Sequence, residues 1–190
     1  MKAVDLRNYI SVDVEASGPS PSLHAMLALG ACSVADPSQT FYVELRPTSR
    51  EVDPQAMAVH GLRLEDLDRT GVDPQLAMAR FETWILGLVP TGHRPIFVSY
   101  NAPFDWMFVN DAFFRTLGRN PFGHAPLDIR ALILGRTGQE WTSIRLEDLF
   151  DRYLNGRRLS HNGLEDAQMQ AELFQVFMGL SPRTEPLAGD

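Results

Sequence analysis

The chain has 190 residues, enough for one domain with a real hydrophobic core. At 44% hydrophobic and 22% charged it has an ordinary globular composition, and no apolar run approaches the ~20 residues that a membrane span requires. The formal charge of −7 argues against a polyanionic partner, unless acidic residues are gathered around divalent cations that reverse the local sign.

The first seven residues lack the apolar core of a signal peptide, so a cytoplasmic location is expected. Residues 9–15, Tyr-Ile-Ser-Val-Asp-Val-Glu, alternate with the two-residue period of a strand. Ile10, Val12 and Val14 fall on one face, and Ser11, Asp13 and Glu15 on the other. The two carboxylates stand about 7 Å apart at their α-carbons, close enough to converge on one cation. Ala16-Ser17-Gly18-Pro19 ends the strand and leaves the pair at its mouth. Residues 26–34 and 40–45 read as two more strands, joined by short turns into an antiparallel meander. Cys32, the one cysteine, lies in the apolar second strand and is expected to be a buried thiol.

Two helices follow. Residues 54–60 form a brief one stopped by Gly61, and residues 74–88 carry apolar positions at helical spacing. Ile96-Phe97-Val98 reads as a fourth strand, and Asn101-Ala102-Pro103 opens a helix that Gly118 stops. A short fifth strand is expected near residues 127–129, then helical segments at 130–134 and 146–154, then a last helix from Asn162 to about Met178. Residues 1–180 are thus expected to form a single α/β domain, a mixed five-stranded sheet of three antiparallel and then two parallel strands flanked by helices. Residues 181–190 read as a flexible C-terminal tail.

Further carboxylates come from two places. Pro103 sets Asp105 in the opening turn of its helix, at the carboxyl end of the fourth strand, where open α/β sheets place ligands. In His161-Asn162-Gly163-Leu164-Glu165-Asp166, Asn162 can cap the last helix, with Glu165 in capping-box position. His161 then precedes the cap while Asp166 takes the fourth helical position, two places whose side chains meet in a staple. Singly, these are an acidic strand face, a helix-start Asp and an exposed His. Together, Asp13, Glu15, Asp105 and Asp166 would repel by about 4 kcal/mol per pair at ~4 Å and an effective dielectric near 20. Divalent cations relieve that, and all-oxygen ligation favours Mg²⁺ or Mn²⁺.

Asp13-x-Glu15, Asn101-Ala-x-Phe104-Asp105 and His161-x4-Asp166 resemble, in order and context, the three motifs of the DEDDh (DnaQ-like) 3′→5′ exonucleases. The resemblance covers residues 9–178, and Val59-His60-Gly61-Leu62 is similar to a further family element. Phe41 to Glu44, Arg119 to Phe122 and Ala171 to Phe174 look most like the ribonuclease T subgroup, which modestly favours RNA over DNA. The resemblance implies a ribonuclease H-like fold and an enzyme that releases nucleoside 5′-monophosphates from single-stranded 3′ ends with two Mg²⁺ or Mn²⁺ ions. It assigns Asp13 to both ions, Glu15 and Asp166 to one, and Asp105 to the second through water. His161 becomes the general base, a role suited to an imidazole that titrates near neutrality.

By the same resemblance Ser17, His60, Asn101 and Phe122 are candidate substrate contacts, Phe122 by stacking on a base. Ala16 and Ser17 stand where the family commonly has threonines. Pro19-Ser20 replaces an aromatic residue that stacks on a base in ribonuclease T, so no base preference carries over. Ribonuclease T-like proteins pair so that a basic patch of one subunit serves the other's site; a homodimer is therefore admitted, although the sequence reveals no such patch. Arg152, Arg157 and Arg158 read as a solvated basic loop, His24, His93 and His124 as surface residues, and Trp84, Trp106 and Trp141 as core. Two other functions use the same residues: hydrolysis of short oligonucleotides or dinucleotides, and nucleic-acid binding without catalysis. Chain-length dependence separates the first, and the complete motif set speaks against the second.

Overall fold

The computed structural model describes residues 4–180; the expected tail at 181–190 lies outside them. Strands β1 (Tyr9–Ala16), β2 (Met26–Ser33) and β3 (Thr40–Glu44) form the antiparallel meander. Helices α1 (Pro54–His60), α2 (Leu64–Thr70) and α3 (Pro74–Leu88) follow, then β4 (Ile96–Ser99), α4 (Ala102–Leu117), β5 (Leu127–Asp128), α5 (Ile129–Thr137), α6 (Leu146–Tyr153) and α7 (Gly163–Phe177). The sheet order is β3-β2-β1-β4-β5, with β4 and β5 parallel to β1, as the strand pattern predicts.

Two hydrophobic cores sandwich the sheet, which is why every residue of β2 is buried. Ile10, Val12 and Val14 pack with Leu29, Phe81, Phe97, Phe108 and Phe113 on the α3–α4 side. Cys32, Val98, Ile129, Phe150 and Phe174 pack on the other side, under α5, α6 and α7. The odd-numbered face of β1, carrying Ser11, Asp13 and Glu15, is therefore the face that α7 covers. Cys32 is buried as expected, its Sγ 3.5 Å from the Ala167 carbonyl, and burial pushes the thiol up to about 12.

Several expectations are corrected. Helix α2 was not expected: it has only seven residues and no side-chain cap, although Glu65 and Asp66 in its first turn are helix-start signals. Helix α5 runs three residues past the predicted end, to a left-handed Gly138. Trp141 is not core; it is 41% exposed on a 3₁₀ turn, with the Arg130 guanidinium 4.3 Å above its ring. His93 and His124 are exposed, whereas the His24 ring lies over Gly18, against the loop that follows β1.

Candidate active site

β1 and β4 pair only from Tyr9↔Ile96 to Ser11↔Val98, and beyond that the strands part. A parting of strands orphans backbone N–H groups, and buried orphans must find acceptors. The Val14 N–H donates to Asp105 Oδ1 at 3.0 Å, and the Tyr100 N–H donates to Gln170 Oε1 at 2.8 Å. The fork is thus lined by side chains that answer its own backbone.

Asp13 and Glu15 face this fork from β1, and Asp105 enters from the first turn of α4. Asp166 arrives from α7, whose N-terminus is capped by Asn162 through the Leu164 and Glu165 N–H groups. The reciprocal half of the capping box is not made; the Asn162 N–H donates to Ser160 Oγ instead. Two glycines allow α7 to reach the sheet. A Cβ on Gly30, the β2 partner of Asp13, would lie 2.1 Å from the Gly163 carbonyl carbon, and one on Gly163 would lie 3.2 Å from the Asp13 carbonyl oxygen.

Ligand atoms of Asp13, Glu15 and Asp166 all lie within 4.8 Å of one another. Asp105 stands beside them with both oxygens already engaged, Oδ1 by Val14 and Oδ2 by the Ser99 hydroxyl at 2.5 Å. Asp13 Oδ1 accepts from Gln170 Nε2 at 2.7 Å, and Asp166 Oδ1 from the Ser160 N–H at 3.0 Å. Every carboxyl is held above its ordinary range, in each case chiefly by burial. Asp13 is pushed well up, by burial and then by the charges of Asp105, Glu15 and Asp166. Glu15 rises to about 8 by burial with Asp166 and Asp105 adding to it, and Asp105 to about 7 despite the bonds from Ser99 and Val14. Asp166 is raised by burial against the pull of the Ser160 and His161 backbone N–H groups. Crowded, buried acids, all offering oxygen, could hold a hard divalent cation, and the ligand atoms of Asp13, Glu15 and Asp166 are near enough to share one.

His161 sits at the rim, exposed and in a left-handed conformation at φ 55°. His161 lies close enough to Asp166 that both its charge and its backbone N–H pull the Asp166 carboxyl down. Among the described residues none hydrogen-bonds the ring. Its neighbour His60 accepts the Leu62 N–H at Nδ1 (3.1 Å) and thus carries its proton on Nε2, 3.2 Å from the Ala16 carbonyl. Burial lowers its pKa, and it stands at the end of β1 as a neutral wall of the mouth. Asn101 is exposed at the start of α4 with φ 61° and no capping bond from its side chain.

Two candidate substrate contacts are corrected. Phe122 is 4% exposed, with its ring against Phe97, Trp106, Phe81 and Phe113, so no face remains for a base. Ser17 is fully buried, and its polar groups are used internally. Its N–H donates to Ala25 O, its hydroxyl donates to Glu51 O and accepts from the Ala25 N–H, and its carbonyl accepts from the Asp53 N–H. Arg157 pairs with Glu172 and Arg158 with Asp151, as a solvated basic loop would. Sequence reasoning missed Gln170, Ser99, Gly30 and Gly163. Gln170 had a signal, since it stands four residues after Asp166 on the same helix face.

The exonuclease family model RNase_T matches residues 10–174. The chain is 41% identical over 179 residues to the 3′-5′ DNA exonuclease Cap18 of Escherichia coli, covering 94% of this chain and 96% of that protein. It is 24% identical over 180 residues to ribonuclease T of Histophilus somni (strain 129Pt), covering 87% and 80%. The nuclease domain of 3′hExo, a DEDDh family member solved with bound rAMP, superposes with a TM-score of 0.68 over 93% of this chain and 96% of its own. At 14% identity that likeness is one of fold, the ribonuclease H-like fold.

Proposed function

The chain belongs to the RNase_T exonuclease family and is a 3′→5′ exonuclease; from that premise we propose that it degrades single-stranded DNA from the 3′ end with two divalent cations, Mg²⁺ or Mn²⁺. The observation that carries this reading is the convergence of Asp13, Glu15 and Asp166 to within 4.8 Å, with Asp105 beside them. Asp13 would serve both ions, Glu15 and Asp166 one. Asp105, its oxygens engaged by Val14 and Ser99, suits an indirect hold on the second through water. Bound cations of this kind would neutralise the crowded carboxylates and stabilise the attacking and leaving oxygens of an in-line displacement.

The chain's own side chains do the rest. His161, exposed at the rim beside Asp166, takes the proton of the attacking water. As water oxygen bonds to phosphorus, the bond from phosphorus to the 3′ oxygen breaks. A nucleoside 5′-monophosphate leaves, and the 3′ oxygen of the shortened strand takes a proton from water to become a hydroxyl. Asn101, exposed at the start of α4, and His60, at the end of β1, would contact the terminal nucleotide.

DNA is preferred here to the RNA expected from the ribonuclease T resemblance, because the relative at 41% identity is named a DNA exonuclease and ribonuclease T stands at 24%. The test is digestion of 5′-labelled single-stranded DNA and RNA of one sequence with Mg²⁺, Mn²⁺ or EDTA. A ladder shortening from the 3′ end, faster on DNA and abolished by EDTA or Asp13→Asn, is expected. Intact substrate with both metals would overturn the reading, and faster loss of RNA would overturn the choice of DNA.

A further inference from the structure

Gln170 is 3% exposed, on the face of α7 that also carries Asp166. Its amide, like the Asp105 carboxyl, joins the two arms of the fork: Oε1 accepts the orphaned Tyr100 N–H just after β4 (2.8 Å), and Nε2 donates to Asp13 Oδ1 on β1 (2.7 Å). The orientation is forced. Turning the amide over would set NH₂ against a backbone N–H and a carbonyl oxygen against a carboxylate, two repulsive contacts in a buried place. We propose that Gln170 is a positioning residue that fixes the Asp13 carboxylate for cation binding and locks it to the end of β4.

The chemistry of the amide suits this role. It is neutral, so it neither competes for a cation as a carboxylate would nor cancels the charge of Asp13 as an arginine or lysine would. It spends one lone pair of Oδ1 and leaves Oδ2 and the remaining lone pair of Oδ1 for ligands. Because the Tyr100 N–H immediately precedes the segment leading to Asp105, the amide adds to the Val14–Asp105 bond in holding the spacing between the carboxylates of β1 and of α4. Hydrogen-bonded partners of ligating groups, when removed, typically lower metal affinity or activity by about 10–100-fold.

This role rests on the exonuclease site proposed above, and the test separates the two. Mn²⁺ binding by the full chain is measured calorimetrically for wild type and Gln170→Met, which keeps the length of the side chain and removes both bonds; oligonucleotide hydrolysis is followed in parallel. The expected result is a folded variant that binds Mn²⁺ about 10–100-fold more weakly, with reduced kcat, unchanged KM for the oligonucleotide and partial recovery of kcat at high Mn²⁺. An Mn²⁺ isotherm identical to wild type would overturn the role, as would loss of the fold in both Gln170→Met and Gln170→Leu, since that makes the residue purely structural. A wild-type chain that takes up no Mn²⁺ would overturn the site itself and this role with it.

Discussion

Asp13 shares its surroundings with a glycine on each side, and these set how near the other carboxylates can come. Gly30 meets the backbone of Gly163, so a methyl group there collides with atoms that cannot rotate away, and α7 must lift from the sheet. Gly163 has contacts at 3.2 Å, which a shift of a few tenths of an ångström relieves. Gly30→Ala is therefore expected to cost about 1–3 kcal/mol or more in denaturant unfolding and to abolish hydrolysis by drawing Asp166 away. Gly163→Ala should keep most stability; equal losses in the two variants would show that the close approach of α7 is not what builds the site. Neither glycine stood out in the sequence, because their importance is a contact between positions 133 residues apart. Asp13 and Glu15 did stand out, since alternation along one strand is enough to put two side chains on one face.

At the scale of elements, what was legible is what local rules decide. The alternation of β1 gave its faces, Asn162 its cap, and Pro103 and Gly118 the ends of α4. The failures come from tertiary context. The capping box of Asn162 and Glu165 follows from helix-start spacing, yet the Asn162 N–H donates to Ser160 Oγ and the reciprocal bond is not made. Phe122 lies in a segment resembling a base-stacking motif, but the connection from α4 to β5 folds it into the cluster of Phe81, Phe97 and Phe113. Phe122→Ala should accordingly cost about 3–5 kcal/mol of stability while leaving the KM for oligonucleotides unchanged at a temperature where the variant is folded. A raised KM without loss of stability would restore Phe122 to the substrate. The partner of Gln170 at Tyr100 was silent for another reason: its N–H is orphaned by the parting of β1 and β4, and no sequence pattern marks where two strands diverge.

For the whole molecule, the sheet and the cores and helices packed on its two faces serve to hold like charges together against their repulsion. The net charge of −7 is a poor guide to partners, because the carboxylates that matter are gathered in one fork where cations would reverse the local sign. The same crowding sets a pH dependence. Asp13, Glu15, Asp105 and Asp166 have folded-state pKa values raised above ordinary carboxylate values of about 4, to about 8 for Glu15 and about 7 for Asp105. Between those limits the folded chain binds more protons than the unfolded one, so its stability is fullest below about pH 4 as far as these groups are concerned and falls as pH rises toward 8. A cation that binds only the folded site reverses the fall. The most direct test is thermal unfolding of the metal-free chain from pH 5 to pH 8, repeated with Mn²⁺. The account predicts a Tm that declines with pH in EDTA, and a Mn²⁺-dependent rise in Tm that is largest at the alkaline end and absent in Asp13→Asn. A metal-free Tm that does not fall with pH, together with a wild-type chain indifferent to Mn²⁺, would contradict it.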